Sequence, residues 1–179
     1  EDLTDTVSKL HGMDRSLETA KDYGRIALWF EHDPYDQLLL IKVLARLKAA
    51  GADRRKVELM SLHCFPGITK FIGIGQLSPT ALRHMYAKRE AVSAGAYQLA
   101  VQAWSALTAP TPLPLFELTA CQTPFLPYPP DAIGRYLAEL PGLDDGLSFT
   151  ERSALQILQS GPLAWGKIFR RFMQDIDPL

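Results

Sequence analysis

The sequence predicts an α/β protein. A Rossmann-like βαβ N-terminal half with parallel strands is followed by a mostly helical C-terminal half, which ends in a partial helix-turn-helix or winged-helix-like segment. Two observations predict this class. Two short apolar runs, Ile26 to Phe30 and Val57 to His63, flank one strongly helical stretch, which is the spacing of a βαβ unit. After residue 78 the apolar residues recur mainly at helical spacing.

The N-terminal elements follow from local signals. A short helix is predicted over residues 14–23. The run from Ile26 to Phe30 is continuously apolar, which is typical of a strand covered on both faces. Residues 34–50 form the clearest helix, because apolar residues recur at helical spacing and Gly51 stands where a C-terminal cap belongs. A second strand over residues 57–63 then runs parallel to the first.

The rest of the chain divides at a proline-rich stretch. Helical spacing predicts six further helices, over residues 79–89, 93–107, 115–121, 131–140, 148–160 and 164–174. Ser148 and Glu151 fit a capping box at the start of the fifth. We therefore expect an α/β module with its following helices over 1–107, a proline-rich connection over 108–130, and a helical, helix-turn-helix-like segment over 131–179.

Composition limits the classes of partner. The chain has 179 residues, of which 22% are charged, and a formal net charge of -1, so no global basic field attracts nucleic acid or anionic membrane. It has neither an apolar run long enough to span a bilayer nor a secretory leader, which predicts a cytoplasmic protein without a membrane partner. The two cysteines, Cys64 and Cys121, are predicted to be reduced and buried in the core.

A cluster of ionisable and polar residues follows the first strand. Ligands in open α/β sheets bind beyond the carboxyl ends of the strands, where this cluster is expected to lie. Glu31 and His32 are the candidate catalytic residues, because carboxylate and imidazole both carry protons near neutral pH. Asp33, Asp36 and Gln37 are candidate ligand-binding residues.

Rules for helix starts explain part of this cluster without any function. Asp33 fits an N-cap, and Asp36 stands in the first turn, where acids are favoured. No such rule requires Glu31 or His32, so these two carry the functional hypothesis. The structural alternative is a buried ion pair between them or with Arg25.

A glycine-bearing loop offers a second candidate site. Gly73, Gly75 and Gln76 precede a helix start, and their backbone N–H groups are able to hold an anion such as phosphate. The loop lacks the third glycine of a dinucleotide fingerprint and the lysine of a P-loop. A plain tight turn is therefore the alternative interpretation.

Two histidines suggest a metal site under one hypothesis only. His32 and His63 end the two predicted parallel strands and would bind a divalent cation if the protein were a hydrolase, with Glu31 as the base. A structural histidine at the end of a strand is the alternative for His63.

The C-terminal helix pair is the only feature that suggests nucleic acid. Lys167, Arg170 and Arg171 lie on the second predicted helix of the pair and are placed to contact phosphates. Asp175 and Asp177 offset this charge, and DNA-binding proteins usually carry a clearer basic stripe, so structural packing is the alternative.

The sequence resembles the bacterial family catalogued as domain of unknown function 1835 in three segments, which are Trp29 to Leu38, Phe71 to Pro79 and Gly146 to Arg152. The resemblance implies a longer parent protein, with a β-α segment before Glu1 and more winged-helix-like structure after Leu179. Because that family has no assigned function, the resemblance implies no activity.

Three functions are consistent with these patterns. The first is a cytoplasmic ligand-binding or regulatory module for a small-molecule or nucleotide-like ligand at the strand ends. The second is a metal-dependent or acid/base hydrolase of a phosphorylated or nucleotide substrate. The third is a DNA-binding regulator that uses the C-terminal helices.

Overall fold

The computed structural model describes residues 2–121, 123, 126 and 128–176. Its α-helices are α1 (Leu3–Glu18), α2 (Pro34–Ala49), α3 (Pro79–Ala87), α4 (Ala94–Leu107), α5 (Leu113–Thr119), α6 (Pro129–Leu137), α7 (Phe149–Leu158) and α8 (Trp165–Arg171). Its strands are β1 (Ile26–Glu31), β2 (Val57–Leu62) and β3 (Glu90–Ala91). Short 3₁₀ turns cover Thr19–Asp22, Arg54–Lys56 and Ile74–Gln76, and a π-helical turn covers Phe172–Ile176.

The three strands form one small mixed sheet in the order β1-β2-β3. Strands β1 and β2 are parallel, from Ile26 opposite Val57 to Glu31 opposite Leu62, and α2 connects them. Strand β3 pairs antiparallel with β2 over two residues only. Beyond Leu59, strand β2 therefore continues without β3 beside it.

The predicted fold class is wrong. Of the described residues 60% are helical, and the sheet has three strands of mixed direction, so the chain does not consist of a Rossmann-like βαβ half followed by a helical half. The strand-helix-strand spacing is a local signal, and a doubly wound sheet also needs further parallel strands. Here the third strand is antiparallel and two residues long.

The best-predicted elements have local causes that the structure shows. Helix α2 begins where predicted, with Asp33 as its N-cap and proline in its first turn, and Gly51 follows it with φ of 75°. The capping box of Ser148 and Glu151 is present at the start of α7. The helix predicted over residues 14–23 is displaced, because α1 begins at Leu3 and ends at Glu18.

Buried apolar side chains form three clusters. The largest packs α2 and α4 against one face of the sheet and includes Leu40, Leu44, Phe30 and Val57. The second joins α2, α4, α5 and α6 and includes Ile41, Ala103, Leu115 and Ile133. The third packs Leu62 against Phe71 and Leu77. Burying a side chain of this size stabilises the folded state by about 2 kcal/mol. Helix α2 contributes side chains to both of the larger clusters and is therefore the centre of the fold.

Helix α1 contributes only Leu17 to these clusters, as a partly buried side chain packed against the largest one. It buries none of its side chains, and Leu3, Val7, Leu10 and Met13 are all exposed. Ion pairs from Asp14 to Lys42 and Arg46 connect it to α2.

The predicted burial of the cysteines is wrong. Cys64 and Cys121 are both free and exposed. Cys64 lies two residues beyond the end of β2 and Cys121 two residues beyond the end of α5, and such connecting segments run over the surface.

Candidate functional site

The residues that follow β1 fasten helix α2 to the strand ends. Asp33 Oδ1 accepts the Asp36 N–H at 3.0 Å, and Asp36 Oδ2 accepts the Glu31 N–H at 2.6 Å. The Gln37 side-chain amide donates to the Glu31 carbonyl and to Ser61 Oγ, the latter at 3.4 Å. Gln37 is only 1% exposed. Through these hydrogen bonds, Asp33, Asp36 and Gln37 hold the start of α2 against the ends of β1 and β2.

Glu31 has a structural partner that the sequence did not reveal. Its Oε1 accepts the Ile74 N–H at 2.8 Å, and a Cβ atom on Gly73 would lie 2.3 Å from its Oε2. The carboxylate therefore occupies the place beside the loop where a bound anion was expected. The ion pair considered with Arg25 is not formed, because Arg25 pairs with Glu58 at 3.3 Å.

Gln76 organises the same loop. Its Oε1 accepts the N–H groups of Ile72 at 2.7 Å and Gly73 at 3.3 Å, and its Nε2 donates to the Lys70 carbonyl at 3.3 Å. Gly75 has open space around its Cα, with nothing within 4 Å of an added Cβ. The loop is thus a tight turn held by Gln76 and by Glu31.

His32, His63 and Tyr128 come together beyond the strand ends. The two imidazole rings are 6.4 Å apart between centroids, and the Tyr128 ring lies 6.3 Å from His32 and 5.4 Å from His63. Tyr128 Oη and His63 Nδ1 share a hydrogen bond of 2.6 Å, whereas the buried His32 Nδ1 has no hydrogen-bond partner within the described chain. Burial raises the pKa of the Tyr128 hydroxyl, and Cys64 adds to the rise, so this hydroxyl remains a proton donor at neutral pH.

The structure brings together the two histidines of the metal hypothesis but no third ligand. Across the described residues, no group of three or more His, Cys, Asp or Glu side chains is placed to hold a metal ion. Structural and catalytic zinc sites use three or four protein ligands. Phe71, which is buried, contributes the other ring beside His32, at 6.4 Å.

A cavity of about 470 Å³ opens on the β3 side of strand β2. Apolar side chains of β2, α3, α4 and two connecting segments form much of its wall, among them Leu59, Met60, Met85, Val92, Ala96 and Leu126. Six polar residues also line it, namely Gln37, Ser61, Lys88, Glu90, Ser93 and Tyr128. Beyond Leu59 no residue of β3 pairs with β2, and the next two residues of β2, Met60 and Ser61, line the cavity.

Of the residues singled out in the sequence, Gln37 is the one that lines this cavity in the described structure. No motif marks the others, and the cavity depends on a strand, β3, that the sequence did not predict. Tyr128 links the cavity to the histidine pair, because it lines the first and bonds to His63 of the second.

The cations of the C-terminal helix pair lie on the surface, away from both sites. Lys167, Arg170 and Arg171 are exposed on α8. Two aromatic residues of the same helix are also exposed, Trp165 at 73% and Phe169 at 55%. The helix therefore presents a mixed basic and aromatic surface.

The fold and site together define a predominantly helical protein with a small mixed sheet and a partly polar cavity at the edge of its middle strand. Comparison with protein-family models, with curated proteins and with solved structures found no match to this chain. The resemblance to domain of unknown function 1835 therefore stays a prediction. In the part of the chain that the structure describes, no helix combines the length and the apolar character that crossing a membrane requires.

Proposed function

We propose that this protein is a ligand-binding module and that its ligand occupies the cavity beside β2. The observation that carries the proposal is Gln37, a buried polar side chain that lines the cavity. Its amide nitrogen is held by the Glu31 carbonyl and Ser61, whereas its carbonyl oxygen accepts no hydrogen bond from a described residue. An acceptor that is held in place, lacks a protein donor and belongs to a side chain lining the cavity favours a ligand that donates to it.

The cavity has the size and composition that small-molecule sites need. Its volume of about 470 Å³ lies within the usual range for ligand pockets, in which apolar walls carry a few fixed polar groups. Ser61, held against Gln37, and Tyr128, held against His63, have orientations set by the protein before any ligand binds. Such preorganisation lowers the free energy lost on binding.

These features favour a ligand with an apolar body and a hydrogen-bond-donating head. The head would donate to the Gln37 carbonyl, and the body would contact Leu59, Met85 and Val92. Lys88 and Glu90 provide opposite charges at the wall and select for neither a strong anion nor a strong cation. A nucleoside, whose flat base bears an amino group, is one molecule of this class.

A cytoplasmic location is part of the proposal. The exposed thiols of Cys64 and Cys121 are free, and exposed free thiols persist in a reducing compartment.

The test is a binding screen by two-dimensional NMR with nucleosides, nucleotides and small amides as probes. We expect a binder to shift the side-chain amide of Gln37 and the backbone amides of Ser61 and Ser93. Ala91→Trp places a large ring at an exposed position of the cavity wall and should abolish these shifts. Ala120→Trp adds the same ring at an exposed position that does not line the cavity and should leave them unchanged.

The proposal fails if none of the probes shifts these three residues. It also fails if a probe binds Ala91→Trp as tightly as it binds the unmodified chain.

A further inference from the structure

A second concave surface, which shares no lining residue with the first cavity, lies between α2, α6 and α8. Two adjoining cavities of about 580 and 440 Å³ share Ile72 and Met173. We call this surface the C-terminal groove and define it by six apolar or aromatic lining residues, Tyr35, Leu38, Ile72, Tyr136, Phe169 and Met173.

Large side chains of the groove are exposed. Tyr35 is 77% exposed, Phe169 55%, Ile72 50% and Tyr136 40%. Single exposed apolar residues are ordinary, but a contiguous set that lines one concave surface marks an interaction site. These four exposed side chains belong to none of the buried clusters described above, whereas Leu38 of the same lining packs against the second.

The charge of the C-terminal groove is uneven. Lys70 and Arg170 line the smaller cavity, and no described acid lines it with them. Within the described chain, neither cation forms an ion pair, and the same holds for Asp175 on the following turn. Because the whole chain has a net charge of -1, this local excess of cations is a property of the groove and not of the surface in general.

The acids at the other end of the groove are already engaged. Asp33 caps helix α2 through the Asp36 N–H, and Glu139 pairs with Arg135 and accepts the Thr150 hydroxyl. The positive end is fastened to the fold, since Lys70 Nζ donates to the carbonyls of Met173 and Gln174 at 3.4 and 3.3 Å. Arg170 remains as the exposed cation beside the apolar floor.

We propose that the C-terminal groove docks an amphipathic helical segment of a partner protein. Its apolar face would contact Ile72, Phe169 and Met173, and its acidic side chains would pair with Arg170 and Lys70. This is the helix-in-groove mode of recognition, in which apolar anchors supply affinity and flanking charges supply orientation and rate.

The lining favours a peptide over nucleic acid. Between the two cations the floor is formed by the apolar side chains of Ile72, Phe169 and Met173, whereas a nucleic-acid site presents a continuous basic stripe that follows the phosphates. The net charge of -1 also provides no long-range attraction for a polyanion.

The experiment is selection from a phage-displayed library of random peptides of about 15 residues, which is four turns of helix. The full chain is the bait. We expect enriched peptides with leucine or aromatic residues at helical spacing and Asp or Glu beside them. The dissociation constant of an enriched peptide is then measured by fluorescence anisotropy for three variants, with thermal unfolding to confirm that each is folded.

The variants separate the groove from general charge effects. Arg170→Glu should weaken binding about fivefold or more, and Phe169→Ala about tenfold. Arg15→Glu makes the same charge change at an exposed position on α1 that does not line the groove, and should alter affinity less than about twofold.

Several results would overturn the proposal. These are selection without enrichment, enrichment of peptides that lack acidic residues, or affinities that Arg170→Glu and Phe169→Ala leave unchanged. Binding of a DNA or RNA oligonucleotide that these two variants abolish would identify nucleic acid as the occupant. A dimer in sedimentation that Phe169→Ala dissociates would identify a second copy of the chain.

Discussion

The contact between Glu31 and Gly73 predicts a strong energetic coupling between two residues that are distant in sequence. Adding a methyl group at residue 73 places a Cβ atom 2.3 Å from Glu31 Oε2 and 2.8 Å from its Oε1, and both distances are too short for a carbon and an oxygen that are not bonded to each other. The backbone itself is not the difficulty, since φ at Gly73 is 163°, an extended conformation. In Gly73→Ala the carboxylate must therefore move away and release the Ile74 N–H.

The magnitude follows from that lost hydrogen bond. A hydrogen bond to a charged group contributes about 1.5–3 kcal/mol, and because Ile74 is only half-buried, water replaces part of it. We expect Gly73→Ala and Glu31→Ala each to lower the free energy of unfolding by about 1–2 kcal/mol. When Glu31 is already alanine, adding Gly73→Ala should change little, or stabilise by about 0.5 kcal/mol through the lower entropy of the unfolded chain.

The assay is a double-mutant cycle by urea unfolding, followed by circular dichroism. The expected coupling energy is about 1–2 kcal/mol. Gly75→Ala is the control in the same turn, where an added Cβ meets open space, and it should be neutral or slightly stabilising. If Gly73→Ala loses the same free energy with and without the carboxylate, the steric argument is wrong.

Three further predictions concern single groups. Tyr97 is 4% exposed and its hydroxyl has no hydrogen-bond partner among the described residues. In urea titrations, Tyr97→Phe should therefore leave the free energy of unfolding unchanged or raise it by up to about 1 kcal/mol. A lower free energy of unfolding would show that the hydroxyl does have a partner. Gln37→Leu should lower it by about 2 kcal/mol, because the Glu31 carbonyl loses its buried donor, and a neutral effect would contradict the role given to Gln37. The Arg152 side chain, with a backbone hydrogen bond, lowers the pKa of Asp145 from 3.8 to about 2, so the stabilisation that this carboxylate gives is present above pH 3.8 and is lost as the pH falls toward about 2. In melting curves recorded across that interval, Asp145→Asn should flatten the acid loss of Tm, and an unchanged slope would refute the assignment.

Sequence patterns succeeded where the interacting groups are neighbours in the chain. The N-cap of α2 involves Asp33 and the Asp36 N–H, and the cap of α7 involves Ser148 and Glu151, each within one turn. These pairs are visible as spacings, so the starts of both helices could be predicted.

Contacts between distant residues could not be predicted in this way. The Ile74 N–H that holds Glu31 is 43 residues away, and Tyr128 is 65 residues from His63. Glu31 was interpreted as functional because no residue near it in the sequence explains a carboxylate there. Its hydrogen-bond partner, the Ile74 N–H, lies in the loop that was separately interpreted as an anion site. One contact thus explains two features that the sequence presented as unrelated.

The error in fold class has a similar origin. Strand β3 consists of two exposed residues, Glu90 and Ala91, which are too few to show alternation. The sheet's mixed character and the cavity beside β2 both depend on it. A short strand that is stabilised by its partner leaves no periodic signal, so the site it creates could not be predicted either.

Helix α1 has no fully buried side chain, so it is expected to unfold locally before the rest of the fold. Its contacts with the rest of the chain include ion pairs to Lys42 and Arg46 on the surface, where such pairs contribute at most about 1 kcal/mol, and the partly buried Leu17 at the margin of the main core. Detaching α1 therefore leaves the contacts within α2 intact, whereas exposing Leu40 or Leu44 requires the main core to separate. In native-state hydrogen exchange, the amides of α1 should follow a local opening of low free energy, and those of α2 should follow global unfolding. The two helices are in contact, but hydrogen exchange in α1 would measure its local detachment and exchange in α2 would measure global unfolding.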